Sequence, residues 1–169
     1  MVPNWHNDTT MTTAELPRRP VVWLAHRFVD AMNWAASLYG RRNIQKITTN
    51  ELQNLQTKQD DSFVLVDARS EAEIAVSTIP NAIKQTDFWA RQKEFSGKLV
   101  IAYCTVGGRS LLFAQRCADA GFECRNYAAG ILGWCAGGGP LADPDGIPTS
   151  QVHTHSRLFD APTDYERIC

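Results

Sequence analysis

The sequence predicts an α/β fold, a parallel sheet of about five strands with helices on both faces. Two continuous apolar runs carry this expectation, Ser62–Asp67 (SFVLVD) and Leu99–Tyr103 (LVIAY). Unbroken runs of this length suit strands buried on both sides. Segments with helical spacing separate the runs, which implies parallel strands with helices packed on the sheet. The chain has 169 residues, 44% of them hydrophobic and 21% charged, enough for one domain plus extensions. Its net charge of −1 leaves no cationic excess to bind nucleic acid by counterion release.

Residues 1–19 are rich in Asn and Thr and are expected to form a mobile leader. They contain no apolar stretch of a secretion signal, and Asp8 and Glu15 argue against an organelle transit peptide. A helix is expected over 20–40. Between Val21 and Tyr39 the polar residues are His26, Arg27, Asp30, Asn33 and Ser37, and all but Arg27 fall on one narrow stripe. Charge in that stripe argues against a membrane span. The remaining arc, with Val22, Trp23, Leu24, Phe28, Val29, Met32, Trp34 and Leu38, is too wide for one side of a solvated helix. It is expected to be covered by the domain, by a second copy in a homodimer through 21–39, or by a membrane interface. Gly40 is the stop, followed by Arg41 and Arg42.

The body of the domain is expected over 41–143. Ile44–Ile47 reads as a short strand, and Thr48 or Thr49 can cap a helix over Asn50–Lys58. After the strand Ser62–Asp67 come a short helix at Glu71–Val76, broken before Pro80, and a helical patch at Phe88–Phe95. The strand Leu99–Tyr103 precedes a helix over Ser110–Ala120 that Gly121 ends. Arg125–Tyr127 is a short strand and Ile131–Ala136 a last helix. Gly137–Gly139 and Pro140 close the regular region. Residues 144–169, with three prolines, are expected to be an irregular tail able to wrap the domain.

Five cysteines stand at 104, 117, 124, 135 and 169, an odd number with no CxxC pair. Neither a disulfide framework nor a zinc ribbon fits. A reduced, cytoplasmic protein is expected, with a membrane-peripheral or organellar setting still open.

Chemistry concentrates in Leu99–Ser110 (LVIAYCTVGGRS). A buried strand ends at Tyr103, a thiol follows at once, then two glycines, an arginine and a helix starting at Ser110. Binding sites of open α/β sheets lie beyond the carboxyl ends of their strands. The unpaired N–H groups of a helix N-terminus stabilise an anion on the Cys104 sulfur and make it a nucleophile. Gly107 and Gly108 are expected to let the backbone curl into an N–H nest. Arg109 offers a cationic fork suited to an oxyanion. Cys104 is therefore the candidate nucleophile, and Thr105, Val106, Gly107, Gly108 and Arg109 the candidate substrate cradle.

Cys-Thr-Val-Gly-Gly-Arg-Ser resembles the active-site loop of the rhodanese family. Val64–Arg69 (VLVDAR), Ser77–Ala82 (STIPNA) and Ala129–Trp134 (AGILGW) resemble further marks of that family, in the right order, over about Ile44 to Asp143. Thr78 and Asn81 stand where the family usually has His and Gly, and Thr105 where some thiosulfate-using members carry a cation. The resemblance implies a rhodanese-like fold and a sulfurtransferase without cofactor. Cys104 would take sulfane sulfur from thiosulfate or a persulfide and pass it to a thiol, a protein thiol or cyanide. Four residues separate Cys104 from Arg109, whereas related phosphatases and arsenate reductases use five. The shorter loop suits sulfur. A non-catalytic binding module is the alternative.

Asp67 and Arg69 are read as structural support for the strand end, with catalysis as the alternative. Trp134 is either a pocket wall or core. Cys117, Cys124 and Cys135 are expected to pack in the core, although any could resolve an oxidised Cys104, and Cys169 is the best candidate for an exposed second thiol. His153 and His155 lack further ligands, so no metal is expected.

Overall fold

The computed structural model describes residues 20–38, 43–58 and 61–169. The expected leader 1–19 and the stop at Gly40, Arg41 and Arg42 lie outside them. Five strands form the main sheet: β1 (Gln45–Lys46), β2 (Phe63–Asp67), β3 (Ile83–Lys84), β4 (Leu99–Tyr103) and β5 (Cys124–Tyr127), in the order β1-β5-β4-β2-β3. Every neighbouring pair is parallel. Among the described residues six α-helices accompany them: α1 (Pro20–Leu38), α2 (Thr49–Thr57), α3 (Glu71–Ile74), α4 (Gln85–Ala90), α5 (Gly108–Asp119) and α6 (Gly130–Ala136).

The period-two geometry of the strands sorts their side chains into two cores. Val64, Val66, Val100 and Ala102 pack with Val29 of α1, Phe88 of α4, and Leu111, Phe113 and Ala114 of α5. Leu65, Ile101 and Tyr103 point the other way, toward Leu52 of α2 and Ile131, Leu132 and Trp134 of α6. Both faces are thus covered, which is why the central strands read as continuous apolar runs. Phe88 anchors an aromatic cluster, stacked on Phe95 at 5.5 Å and edge-on to Trp89, Phe113 and Phe122.

Several boundaries differ from expectation. The strand β3 has two residues, too few to show a period. The patch at 88–95 divides into α4 and a 3₁₀ turn, Gln92–Phe95. Thr48 is the N-cap of α2: Glu51 N–H donates to its hydroxyl at 3.3 Å, and its own N–H donates to the Glu51 carboxylate at 2.8 Å.

The tail is not simply irregular. β6 (Leu141–Ala142) pairs antiparallel with β7 (Pro148–Thr149), and β8 (Gln151–His153) pairs parallel with β9 (Glu166–Ile168). Asp143 makes the first turn, its carboxylate accepting the N–H groups of Asp145 and Ile147 at 3.0 and 2.8 Å. Ser77 donates its hydroxyl to the Gln151 carbonyl at 2.6 Å, tying β8 to the domain beside α3.

Asn81 and Thr78, two of the three positions that depart from the resembled pattern, both have a physical place. Asn81 has φ of +64°, a conformation that glycine adopts freely and that asparagine tolerates better than most side chains. The Thr78 hydroxyl donates to Tyr103 Oη at 2.7 Å, since the Tyr103 proton goes to Asp67, and lies 3.2 Å from Asp67 Oδ2.

Candidate active site

Parallel pairing of β2 with β4 sets Asp67 opposite Tyr103, so the loop after each strand opens at the same edge of the sheet. The loop after β4 carries Cys104, and the loop after β2 carries Arg69, Ser70 and Glu73. The site is assembled from these two loops, closed by β5 and α6.

Cys104 is 2% exposed. The Gly107 N–H donates to Cys104 Sγ at 3.2 Å. Ser110 Oγ lies 3.5 Å from the same sulfur but 2.7 Å from Asn126 Oδ1. One hydroxyl carries one proton, and the shorter contact takes it. Asn126, buried on β5, also donates to the Gly107 carbonyl at 3.1 Å and so braces the loop where its N–H meets sulfur. The carbonyls of Cys104 and Thr105 turn away from the sulfur and accept N–H groups from Ile131 and Leu132 at the start of α6, at 2.8 and 3.5 Å.

Two glycines make this folding of the loop feasible. Gly107 has φ of +89°, and a Cβ there would sit 2.4 Å from the Ala128 carbonyl oxygen. Gly130 has φ of +64°, and a Cβ there would sit 2.3 Å from the Thr105 carbonyl oxygen. Gly107 and Gly108, expected to serve the nest alike, differ in the structure. Gly108 is the first residue of α5, with ordinary backbone, and a Cβ there would reach only Val29 Cγ2 at 3.7 Å. The helix begins two residues earlier than expected, so its free N–H groups are nearer to the sulfur.

The cationic fork of Arg109 does not stand open to an oxyanion. Arg109 Nη1 and Nη2 donate to Glu73 Oε2 and Oε1 at 2.6 and 2.8 Å. Thr105 donates its hydroxyl to Glu73 Oε1 at 2.8 Å and accepts from Arg109 Nη2 at 2.9 Å. Ser70 adds its N–H at 3.0 Å and its hydroxyl at 2.7 Å, both to Glu73 Oε2. Burial alone would raise the Glu73 carboxyl. The hydrogen bonds from Arg109, Ser70 and Thr105 outweigh it and hold the group well below the usual carboxylate range. Glu73 in turn raises Arg109, with a smaller contribution from the Cys104 sulfur. Val106 is half-buried against the second core, and Thr105 is buried with its hydroxyl spent on the pair.

Sequence reasoning missed Glu73 and Asn126. Glu73 had a signal, the S-x-x-E spacing of a capping box from Ser70. Asn126 had none, since a polar residue in a short strand is ordinarily solvated. His155 is a third addition. The tail brings its half-exposed ring to 3.7 Å from Glu73 Oε2, while its N–H donates to His153 Nδ1 at 3.0 Å. Among the described residues no group of three His, Cys, Asp or Glu is placed to hold a metal.

Asp67 and Arg69 lie beneath the site. Arg69 Nη2 donates to Asp67 Oδ2 at 2.7 Å and to the Ser77 carbonyl at 2.5 Å, and Tyr103 donates its hydroxyl to Asp67 at 2.6 Å. The pair is fully enclosed, and burial with the Asp67 charge pushes the Tyr103 hydroxyl well up. Trp134 is core: it is 2% exposed and its Nε1 donates to the Pro140 carbonyl at 2.8 Å. Cys117 and Cys135 are also buried. Cys124 and burial raise the Cys117 thiol, and burial pushes Cys135 up to about 12. Cys169 is exposed.

A family model for the rhodanese-like domain matches residues 48–137. No curated protein sequence matches the chain significantly. Among solved structures, a protein from Bacillus halodurans is 20% identical with a TM-score of 0.56, over 75% of this chain and 92% of its own. A thiosulfate sulfurtransferase from Pseudomonas aeruginosa is 21% identical with a TM-score of 0.57, over 73% of this chain but 23% of its own. A protein of unknown function from Rhodopseudomonas palustris, described as a possible tyrosine phosphatase, is 22% identical with a TM-score of 0.53, over 77% of this chain and 99% of its own. At these identities the likeness is one of fold.

Proposed function

The chain belongs to the rhodanese-like domain family, and on that premise we propose that it is a sulfurtransferase carrying sulfane sulfur as a Cys104 persulfide. One observation supports this above the others: the loop aims its Gly107 N–H at the Cys104 sulfur itself, at 3.2 Å. Negative charge on that sulfur, or on a second sulfur bonded to it, meets N–H donors at a helix N-terminus.

The Cys104 thiolate attacks the outer sulfur of the donor. The new S–S bond forms as the donor's own S–S bond breaks, and the electron pair leaves on sulfite (from thiosulfate) or on a thiolate (from a persulfide). An acceptor thiolate then attacks the outer sulfur of the Cys104 persulfide and regenerates the Cys104 thiolate. Cyanide as acceptor gives thiocyanate. Attacking and leaving groups are anions throughout, sulfur anions except where cyanide attacks, so no general base is required.

The charge balance favours a persulfide donor over thiosulfate. Glu73 neutralises Arg109, which leaves a dianionic donor only the loop N–H groups. The same pairing, with the four-residue loop, weighs against phosphoryl or arsenate chemistry, where the arginine fork must hold the oxyanion. All five thiols are free, in keeping with a reducing, cytoplasmic setting. Thiocyanate formation from cyanide tests the reading. Wild-type protein should turn over with a persulfide donor and more slowly with thiosulfate, and Cys104→Ser should do neither. Turnover retained in Cys104→Ser would refute it.

A further inference from the structure

The outward face of α1 plays no part in sulfur chemistry. Trp23, Leu24, Phe28 and Trp34 are 54%, 62%, 65% and 67% exposed. Val29 and Met32, on the other side of the helix, pack into the core that α5 lines. Asp30, the one acid of the helix, is hydrogen-bonded to Lys46 of the domain. Between residues 17 and 43 the sequence holds five arginines, Arg18, Arg19, Arg27, Arg41 and Arg42, against that single aspartate, in a chain whose net charge is −1. Arg27 is exposed and lies over the Trp23 ring, 5.9 Å from its centroid.

We propose that this face of α1 docks the protein on the anionic surface of a lipid bilayer, with the helix lying in the headgroup plane. Exposed tryptophan, phenylalanine and leucine on one face, with arginines on the helix and flanking it in sequence, make the pattern of an interfacial helix. The rings reach the acyl boundary and the arginines meet phosphate. Among the described residues no helix is long and apolar enough to cross a membrane, so α1 lies on the bilayer rather than through it. A second copy fits this charge pattern poorly. Residues 17–43 carry a net charge of +4 in sequence, so self-pairing would set one cationic segment against another. An anionic lipid surface complements that excess of positive charge.

Docking has a consequence for the sulfur site. The inner face of α1 packs Val29 against Leu111, Phe113 and Ala114 of α5, the helix that also carries Arg109 and Ser110. A bilayer-bound α1 therefore holds the Cys104 loop close to the lipid surface.

The test is co-sedimentation of the full chain with vesicles of phosphatidylcholine alone and of phosphatidylcholine mixed with phosphatidylglycerol. Binding to the mixed vesicles, weak binding to phosphatidylcholine alone and loss on raising salt are expected. Leu24→Asp or Phe28→Glu should each lower partitioning by about tenfold or more, as expected for removing a buried apolar side chain. Arg27→Gln should lower it by about fivefold. Leu158→Ser, an exposed apolar residue of the tail, should bind as wild type, and circular dichroism should show helix content retained in every variant. Absence of binding to the mixed vesicles would overturn the proposal. So would Phe28→Glu or Arg27→Gln binding as tightly as wild type. A dimer in light scattering that Phe28→Glu converts to monomer would assign the face to a second copy instead. Thiocyanate formation in solution is independent of these outcomes, because Leu24, Arg27 and Phe28 lie outside the sulfur site.

Discussion

Removing Arg109 should harm the protein mainly by uncovering Glu73. The fork makes two charge-assisted hydrogen bonds at 2.6 and 2.8 Å, between a carboxylate 1% exposed and a guanidinium 36% exposed. Each such bond contributes about 1.5–3 kcal/mol before screening. The partial exposure of Arg109 reduces the net coupling to about 2 kcal/mol. Arg109→Ala leaves an enclosed carboxylate held only by Ser70 and Thr105, and should cost about 2–3 kcal/mol of stability. Glu73→Gln should cost about 2–4 kcal/mol, since its amide meets donors where a carboxylate accepted them. The double variant should recover about 2 kcal/mol relative to the sum. Urea unfolding of the four proteins measures the coupling. The rate of Cys104 persulfide formation gives a second readout. Arg109→Ala should slow thiosulfate more than a neutral-ended persulfide, because the bared Glu73 charge repels the dianion, and Glu73→Gln in that background should restore part of the thiosulfate rate. Additive single effects, within about 0.5 kcal/mol, would refute the coupling. Equal slowing with both donors would refute the charge argument.

Three further outcomes follow from the same geometry. Gly107→Ala should cost at least about 2 kcal/mol and abolish persulfide formation, since φ is +89° and the Ala128 carbonyl would be 2.4 Å from the new Cβ; an unchanged melting temperature would contradict the loop geometry. The Glu73 carboxyl is depressed, so its stability contribution is fully present above the ordinary carboxylate range and is lost progressively as pH falls from that range toward its lowered value. The stability gap between wild type and Glu73→Gln should therefore hold from about pH 7 to about pH 5 and shrink steadily in stronger acid, and a gap that closes near neutrality would show the pairing is absent. Alkylation of the native protein should label Cys169 readily and spare Cys117 and Cys135 until denaturant is added, because both are buried and both thiols are pushed up, Cys135 to about 12; rapid native labelling of Cys135 would contradict its burial.

The central sheet was legible because its strands are covered on both faces. Ser62–Asp67 and Leu99–Tyr103 read as continuous apolar runs, and β2 and β4 lie within them. The chemistry of the Cys104 loop was legible because it is local, with thiol, glycine and helix start inside seven residues. What escaped was long-range. Glu73 stands 36 residues from Arg109, and only the parallel register of β2 with β4 brings them together. Asn126 enters the site through β5, and His155 through a tail whose two- and three-residue strands have no period to detect. The wide apolar arc of α1 was visible in sequence, but which part of it the domain covers depended on the packing of Val29 and Met32.

The most direct test of the sulfur-carrier mechanism is peptide-mapped mass spectrometry of the protein after brief exposure to a persulfide donor and, separately, to thiosulfate. A gain of one sulfur atom at Cys104, absent from Cys104→Ser and removed by cyanide with release of one equivalent of thiocyanate, is the expected result. No sulfur gained from either donor, or a gain that persists in Cys104→Ser, would contradict it.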